Sequence, residues 1–353
     1  VTRRLMSPED REDMFGFDSC KVGLLCDGAV ASWAWVEGMG VRIGSDTVRM
    51  GGLRFVGTAD EYRGRGYSRR VMAEALAYMD EQQFAIAGTS GAIGGFYERF
   101  GYAVTIPEYA LRVAADALSE ARIRHEAVDF EGDDTHVDAM RRIYNQNNHA
   151  RTGSLVRPEP GWPWRSKYGY FAETCSLWDA KSRVLLDPDG TVCGYTTFHQ
   201  GADDVPGLSR EDSRRPGMSE LGYATPDLFE TFVALLHEDA RERGEDTIEN
   251  WWMPVDHPFA LYLRRYGCDI QTRYQTTGGS MHRIVNVRRL FSQGAPTLSA
   301  RMRSSQLRAW RGSIAFTTDI GDVTLTAADG RVSIEDRAIG DADHRLDIPQ
   351  NRL

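Results

Sequence analysis

The chain has 353 residues, 41% of them hydrophobic and 26% charged, enough for two or three folded domains that each bury a core. Its formal net charge of −9 argues against nucleic acid as a principal partner, because phosphate binding needs a basic face, and is compatible with cationic amines. No apolar run approaches the roughly 20 residues that span a bilayer, and the opening residues do not read as a signal peptide.

The five cysteines (Cys20, Cys26, Cys175, Cys193 and Cys268) are scattered, odd in number and free of any CxxC pair. That pattern argues against a disulfide framework or a zinc site and for a reducing, cytoplasmic setting. His149, His199, His237 and His257 show no metal-ligand spacing, so no metal is expected. The chain opens on Val1 rather than methionine and stops at Leu353 soon after a strand-like stretch, so residues are expected beyond both ends.

In chain order, Val22 to Cys26, Asp27-Gly28 and Ala29 to Val36 predict a hairpin, with Asp-Gly supplying the positive φ angles of a tight turn. Gly44-Ser45-Asp46 predicts a second turn into a strand from Thr47 to Thr58. A glycine-rich loop follows, then a helix of about four turns, its apolar face formed by Val71, Met72, Ala75, Leu76, Tyr78 and Met79. Phe84 to Ala87 reads as a short buried strand, and Gly94 to Arg99 as a second helix ended by Gly101.

From Glu126 the same order of elements recurs. Val184 to Leu186, Asp189-Gly190 and Thr191 to His199 predict a hairpin; Thr225 and Pro226 open a helix with Phe229, Val233 and Leu236 buried and Gly244 at its end. A strand from Ile248 to Met253 and a helical stretch from Pro258 to Tyr266 follow. Leu261-Tyr262-Leu263-Arg264-Arg265-Tyr266-Gly267 echoes Phe96-Tyr97-Glu98-Arg99-Phe100-Gly101, which points to an internal duplication. The last segment predicts an antiparallel meander over Ile314 to Thr318, Val323 to Thr326, Val332 to Ile334 and Leu346 to Ile348.

The chemistry centres on Arg63-Gly64-Arg65-Gly66-Tyr67-Ser68, between a strand and a helix. Gly64 and Gly66 let successive amides point inward at a helix N-terminus, where free donors and the dipole favour an anion such as a pyrophosphate. A Walker loop needs GxxxxGK, and a dinucleotide fingerprint needs glycine at Arg69, so both fall. The phrase resembles the loop signature of the GNAT acetyltransferase superfamily, Arg/Gln-x-x-Gly-x-Gly/Ala, with Ser68 in place of the last small residue. Ser90-Gly91-Ala92-Ile93-Gly94-Gly95-Phe96-Tyr97-Glu98-Arg99-Phe100-Gly101-Tyr102 resembles a second GNAT phrase, with Ala92 one place early and Tyr102 for the final Phe.

More narrowly, the whole chain resembles the Eis (enhanced intracellular survival) family. The supporting phrases are Ala150-Arg151-Thr152-Gly153-Ser154-Leu155-Val156-Arg157 with Trp162 and Trp164, and Met281-His282-Arg283-Ile284-Val285-Asn286-Val287. The resemblance implies an α/β (α+β) chain: a catalytic GNAT domain over 1–125, a degenerate second GNAT-like domain over 126–280, and an incomplete sterol-carrier-like β-rich domain over 281–353. It implies an acetyl-CoA-dependent N-acetyltransferase acting on a primary amine (an aminoglycoside-like polyamine, a small amine or a lysine) and a homo-oligomer, a hexamer. The competing class is a non-catalytic CoA-binding or lipid-carrying module.

By the same resemblance, Tyr97 protonates the departing CoA sulfur, although as a bare residue it reads equally as a core aromatic. The backbone of Val56, Gly57 and Thr58 runs beside the pantetheine arm, and Arg63, Gly64, Arg65, Gly66, Tyr67, Ser68 and Arg69 hold the pyrophosphate. Ser90 either caps a helix or touches the pantetheine. Trp33, Trp35 and Glu37 either border the acceptor pocket or fill a core beside a charged turn. Val48 to Thr58 contains no carboxylate, so the strand before the loop supplies no general base. The resemblance gives that role to the chain's C-terminal carboxylate, which Leu353 supplies only if it is the natural end. Asp227 and Pro226, at the second copy's loop position, oppose a phosphate, so that copy is expected not to bind the cofactor.

Overall fold

The computed structural model describes residues 2–6, 19–91, 95–130, 134–157, 181–198, 217–251, 253–274, 279–335 and 340–353. Ala92, Ile93, Gly94, Trp162, Trp164, Cys175 and His199 lie outside the described residues. The chain begins with β1 (Thr2–Met6), β2 (Ser19–Cys26), β3 (Ala29–Ile43), β4 (Asp46–Thr58), α1 (Tyr67–Glu81), β5 (Ile86–Gly91), β6 (Ala103–Val104) and β7 (Glu108–Ala114). It continues through β8 (Glu126–Asp129), α2 (Asp134–Asn147), β9 (Leu155–Val156), β10 (Lys181–Leu186), β11 (Val192–Phe198), β12 (Met218–Tyr223), α3 (Phe229–Arg243) and β13 (Thr247–Trp251). The remainder is α4 (Pro258–Leu263), β14 (Cys268–Arg273), β15 (Gly279–Ile284), α5 (Val287–Arg303), β16 (Gly312–Thr318), β17 (Gly321–Ala328), β18 (Arg331–Glu335) and β19 (His344–Asp347).

Two compact units result, one from 1–106, 149–158 and 276–353 and the other from 107–148 and 159–275. Each is assembled from stretches that are separated along the chain. β7 pairs with β13 and β14 in the second unit, and β15 pairs with β5 and β6 in the first. Backbone pairing accounts for this, since a strand is completed by whichever edge offers matching donors and acceptors, not by its neighbour in sequence.

In the first unit the strand order is β1-β2-β3-β4-β5-β15-β6, with β9 on β3. The β2–β3 hairpin turns through Asp27 and Gly28 at φ 51° and 86°, as the Asp-Gly pair predicts. Val71, Met72, Ala75, Tyr78 and Met79 of α1 bury against Val22, Leu24, Ala34, Val36, Leu53 and Ala87 on one face of the sheet. Helical and strand periodicities thus meet in one core, the main source of stability for both elements.

The last segment departs from the expected meander. The sequence reading contains no helix here, yet α5 forms over 17 residues, with Asn286 capping it by accepting from Arg289 N at 3.0 Å. Its Leu290 and Phe291 pack with Ile284, Phe316 and Val323. The sheet runs β18-β17-β16-β19, and β19 lies parallel to β16, because the chain passes from one edge strand to the other instead of turning back by a hairpin.

The second unit holds the sheets β12-β11-β10-β8 and β13-β7-β14. α3 is buried on most of its surface, with Phe229, Phe232, Val233 and Leu236 packing against Leu111, Leu185, Ile248 and Phe259. Thr225 precedes it in extended conformation without a side-chain cap, and a 3-10 turn, Pro226–Leu228, leads in. The expected hydroxyl cap is therefore absent; Thr225 bonds the Asp227 carboxylate instead. Among the described residues no helix is long and apolar enough to cross a membrane, and no cluster of His, Cys, Asp or Glu side chains is placed to hold a metal ion.

Candidate active site

β4 and β5 are parallel neighbours over only three pairs: Met50–Ile86, Gly51–Ala87 and Gly52–Gly88. Beyond Gly52 they part, β4 continuing to Thr58 beside β3 and β5 continuing beside β15. Among the described residues the stretch from Leu53 to Thr58 is therefore laddered to β3 alone, the arrangement an extended ligand completes as an added strand. At the apex Thr89 Oγ1 donates to Leu53 O at 3.1 Å. A β-bulge then sets Phe55 and Val56 opposite the single residue Ala34, with Phe55 at φ 46°. The bulge sends Val56 into the core with α1 and leaves Phe55 54% exposed.

The edge ends at the glycine-rich loop. A 3-10 turn, Asp60–Tyr62, leads to Gly64 and Gly66 at φ 74° and 78°. Both lie in the left-handed region open to glycine, and a Cβ added at either would meet nothing within 4 Å. Arg70 N donates to Gly66 O at 3.3 Å, the first helical bond, so the amides of Tyr67, Ser68 and Arg69 precede it at the positive end of the α1 dipole. No acidic residue occupies the first turn. Arg63 is ion-paired with Asp60 at 2.8 Å, and Arg65 lies over the Tyr62 ring at 5.8 Å. Exposed pairs of this kind are worth little, so these guanidiniums are free to turn to a phosphate. Tyr67 OH donates to Cys26 Sγ at 3.4 Å, tying the start of α1 to the β2–β3 turn.

Tyr97 does not sit on the helix expected from Gly94 to Arg99. Among the described residues that helix is one 3-10 turn, Glu98–Phe100, bracketed by Gly95 and Gly101 at φ 74° and 79°. Left-handed backbone on both sides leaves no room for a longer helix. The turn is pinned from behind: Arg283 donates to Phe100 O, and Gln350 donates to Gly101 O at 2.7 Å while accepting from Ile284 N at 2.9 Å. Tyr97 packs edge-on against Phe96 and Tyr102 and is hydrogen-bonded to Thr89. Burial raises its pKa, against that bond, so the phenol stays protonated at neutral pH and has a proton to give. Ser90 lies exposed on β5 opposite Ser280 and caps no described helix.

Trp33, Trp35 and Glu37 share the opposite face. Alternation along β3 sends Ala34 and Val36 to α1 and these three away from it. Trp33 covers Gly57, where a Cβ would lie 2.5 Å from its ring. Trp35 meets Phe55 edge-on at 6.2 Å, and Lys21 Nζ stands 5.7 Å from the rings of both tryptophans. Lys21 thus stands as a cation beside the aromatic faces, for which the sequence leaves both an acceptor border and a filled core open. Glu37 is fully buried and ion-paired with Arg54 at 3.0 Å. Burial pushes its carboxyl up to about 7 against the pull of Arg54.

Four groups escape the sequence reading: Thr89, Arg54, Lys21 and His282. His282, on β15, is aligned with Gly88 and held through Nδ1 by Thr105 Oγ1 at 2.5 Å; burial lowers its pKa and keeps it neutral. The spacing Trp33-x-Trp35-x-Glu37 marks one strand face, but nothing local marks which residues of other strands face it.

Residues 9–105 match the family model described as acetyltransferase (GNAT) domain. The sequence matches no curated protein. The fold is similar to a conserved protein of unknown function from Enterococcus faecalis V583, a probable N-acyltransferase, at 15% identity and TM-score 0.71 over 99% of this chain and 88% of that one. It is also similar to a GCN5-related N-acetyltransferase from Anabaena variabilis, at 18% identity and TM-score 0.65 over 93% and 77% of the two chains. Eis1 from Mycobacterium abscessus aligns at 17% identity and TM-score 0.59, over 93% and 78%. The chain thus carries a GNAT acetyltransferase domain and is an enzyme of the N-acetyltransferase class, whose domains generally use acetyl-CoA.

Proposed function

We propose that this chain transfers acetyl from acetyl-CoA to a primary amine by direct attack within a ternary complex, in the manner of Eis-like enzymes. The observation that carries this reading is the one-sided edge of β4 from Leu53 to Thr58, running from the Tyr97–Thr89 link to an arginine-rich helix N-terminus. Val56, Gly57 and Thr58 would hold the pantetheine arm by backbone pairing. The loop from Arg63 to Arg69 would hold the pyrophosphate, and the open space before Gly64 and Gly66 fits so close an approach. Tyr97, neutral and beside the apex, would protonate the sulfur as the thioester opens. Ser90, exposed on β5, would touch the pantetheine.

The second unit repeats the pattern of a strand, a turn and a helix at β12 and α3, and β12 and β13 share no described ladder. Met218 N instead donates to Asn250 Oδ1 at 2.6 Å. Pro226 and the ionised Asp227 stand at its loop position, which supports cofactor binding by the first unit only. The wider Eis-like reading takes 1–125 as catalytic, 126–280 as a degenerate copy, 281–353 as sterol-carrier-like, and the assembly as a homo-oligomer. Likeness to Eis1 along 93% of this chain supports it. Acceptors in scope are aminoglycoside-like polyamines, small amines and protein lysines.

Thiol release from acetyl-CoA, followed with kanamycin, spermidine, benzylamine and a lysine peptide, tests the reading. Turnover with at least one amine, with the acetylated amine seen by mass, is the expected result. Tight CoA binding without turnover of any amine would refute it and favour a CoA-binding or lipid-carrying module.

A further inference from the structure

We propose that Glu37, buried on β3 beside the point where β4 and β5 part, accepts the proton that the acceptor's ammonium group must lose, a role that rests on the amine-transfer reading above. Glu37 is aligned with Gly52, Gly52 with Gly88, and Gly88 with His282. Between Glu37 and His282 this rung of the sheet therefore carries two glycines and no side chain, at the point where β4 and β5 part. The nearest cover at Gly52 is the Met39 thioether, 2.6 Å from a Cβ added there, and at Gly88 it is Met50 Sδ, 2.7 Å from the corresponding Cβ. Both are flexible, unbranched side chains that move aside easily.

Acid and base then fall on opposite faces of one strand. Thr89, which links Tyr97, is bonded to Leu53 O on the side of α1, while Glu37 faces Gly52, one residue earlier, from the other side. A thiolate leaving on one face and an amine arriving on the other need that disposition.

The carboxylate is also unexplained as structure. No described residue hydrogen-bonds either of its oxygens, and its charge is met by the ion pair with Arg54. A buried carboxylate so thinly compensated is expensive to keep for packing alone. The other charged or titratable groups that the strand register places on its side of the sheet are Lys21 of β2, over the Trp35 ring, and the neutral His282 of β15, three strands along the same rung. Its raised pKa brings it near neutrality, where a base is most effective.

The step balances as follows. Through one intervening water, Glu37 takes a proton from the ammonium group, and the nitrogen lone pair then forms the C–N bond at the thioester carbon. The C–S bond breaks with its electron pair on sulfur. Tyr97 gives its proton to that sulfur and recovers one from the newly bonded nitrogen, and Glu37 releases its own to solvent.

The test compares wild type, Glu37→Gln and Arg54→Met, using benzylamine, charged at neutral pH, and 2,2,2-trifluoroethylamine, largely uncharged there. Glu37→Gln should lower kcat for benzylamine by about 10²-fold or more at neutral pH, lower it far less for trifluoroethylamine, and leave CoA affinity unchanged. Arg54→Met removes the cation that holds the Glu37 pKa down, so the rising limb of the benzylamine kcat/KM profile should move to higher pH. Equal losses with both amines, or a limb unmoved in Arg54→Met, would overturn the role of Glu37 while leaving amine transfer intact. If Glu37→Gln fails to fold, the Arg54→Met profile decides. A wild type inactive on every amine would overturn the transfer reading and this role together.

Discussion

Replacing Glu37 by Gln should stabilise the protein above neutral pH and do almost nothing below about pH 5. Burial lifts the native carboxyl to about 7 from the ordinary glutamate value of 4.5, so between those values the folded chain binds more protons at this site than the unfolded chain does. The raised native pKa means that the stability belonging to the protonated form is fully present below the unfolded value and is lost as pH rises through the native one. At roughly 1.4 kcal/mol per unit, the ionised form burdens the fold by about 3 kcal/mol at alkaline pH. Glutamine keeps the shape and never ionises. For a cooperative unit of roughly 150–250 residues the gain corresponds to a rise in Tm of roughly 6–12 °C. Thermal melts of wild type and Glu37→Gln at about pH 5 and about pH 8 read this as a gap that opens with pH. A gap of the same size at both would refute the claim that Glu37 is buried and charged against its environment.

Tyr97→Phe should lower kcat by about 10²-fold while CoA affinity, measured by calorimetry, stays unchanged; equal turnover would remove Tyr97 from the chemistry. Gly57→Ala drives a methyl group to within 2.5 Å of the Trp33 ring, so about 1–3 kcal/mol should be lost in denaturant melts, and acceptor KM should change as Trp33 moves. Tyr102→Phe should keep or raise Tm, because the Tyr102 hydroxyl is buried and has no hydrogen-bond partner among the described residues. A drop of several degrees there would mean that the hydroxyl is satisfied after all.

Much of the first unit could be read from local chemistry alone. Asp27-Gly28 dictates its tight turn, the apolar spacing from Val71 to Met79 makes α1 amphipathic, and Gly64 and Gly66 permit the left-handed loop before it. Each of these rests on residues within a few positions of one another, where backbone sterics and side-chain periodicity suffice. The short turn at Tyr97 and the cap at Asn286 are also local, yet their sequence signals are masked. Gly95 competes with helix propensity in the first, and Pro296 interrupts the periodic pattern of α5 in the second.

What only tertiary structure decided is which strands lie side by side. β7 and β15 are plain strands by sequence, and their pairing partners lie more than a hundred residues away, in a register that no local pattern encodes. The same holds for the candidate base. From Val48 to Thr58 β4 carries no carboxylate; the one proposed here belongs to the neighbouring strand and is brought to the apex by cross-strand alignment with Gly52. Sequence specifies the loop that would receive an anion, since adjacent residues build it. The raised pKa of Glu37 comes from burial beneath side chains of other elements, and burial exists only once the chain has folded.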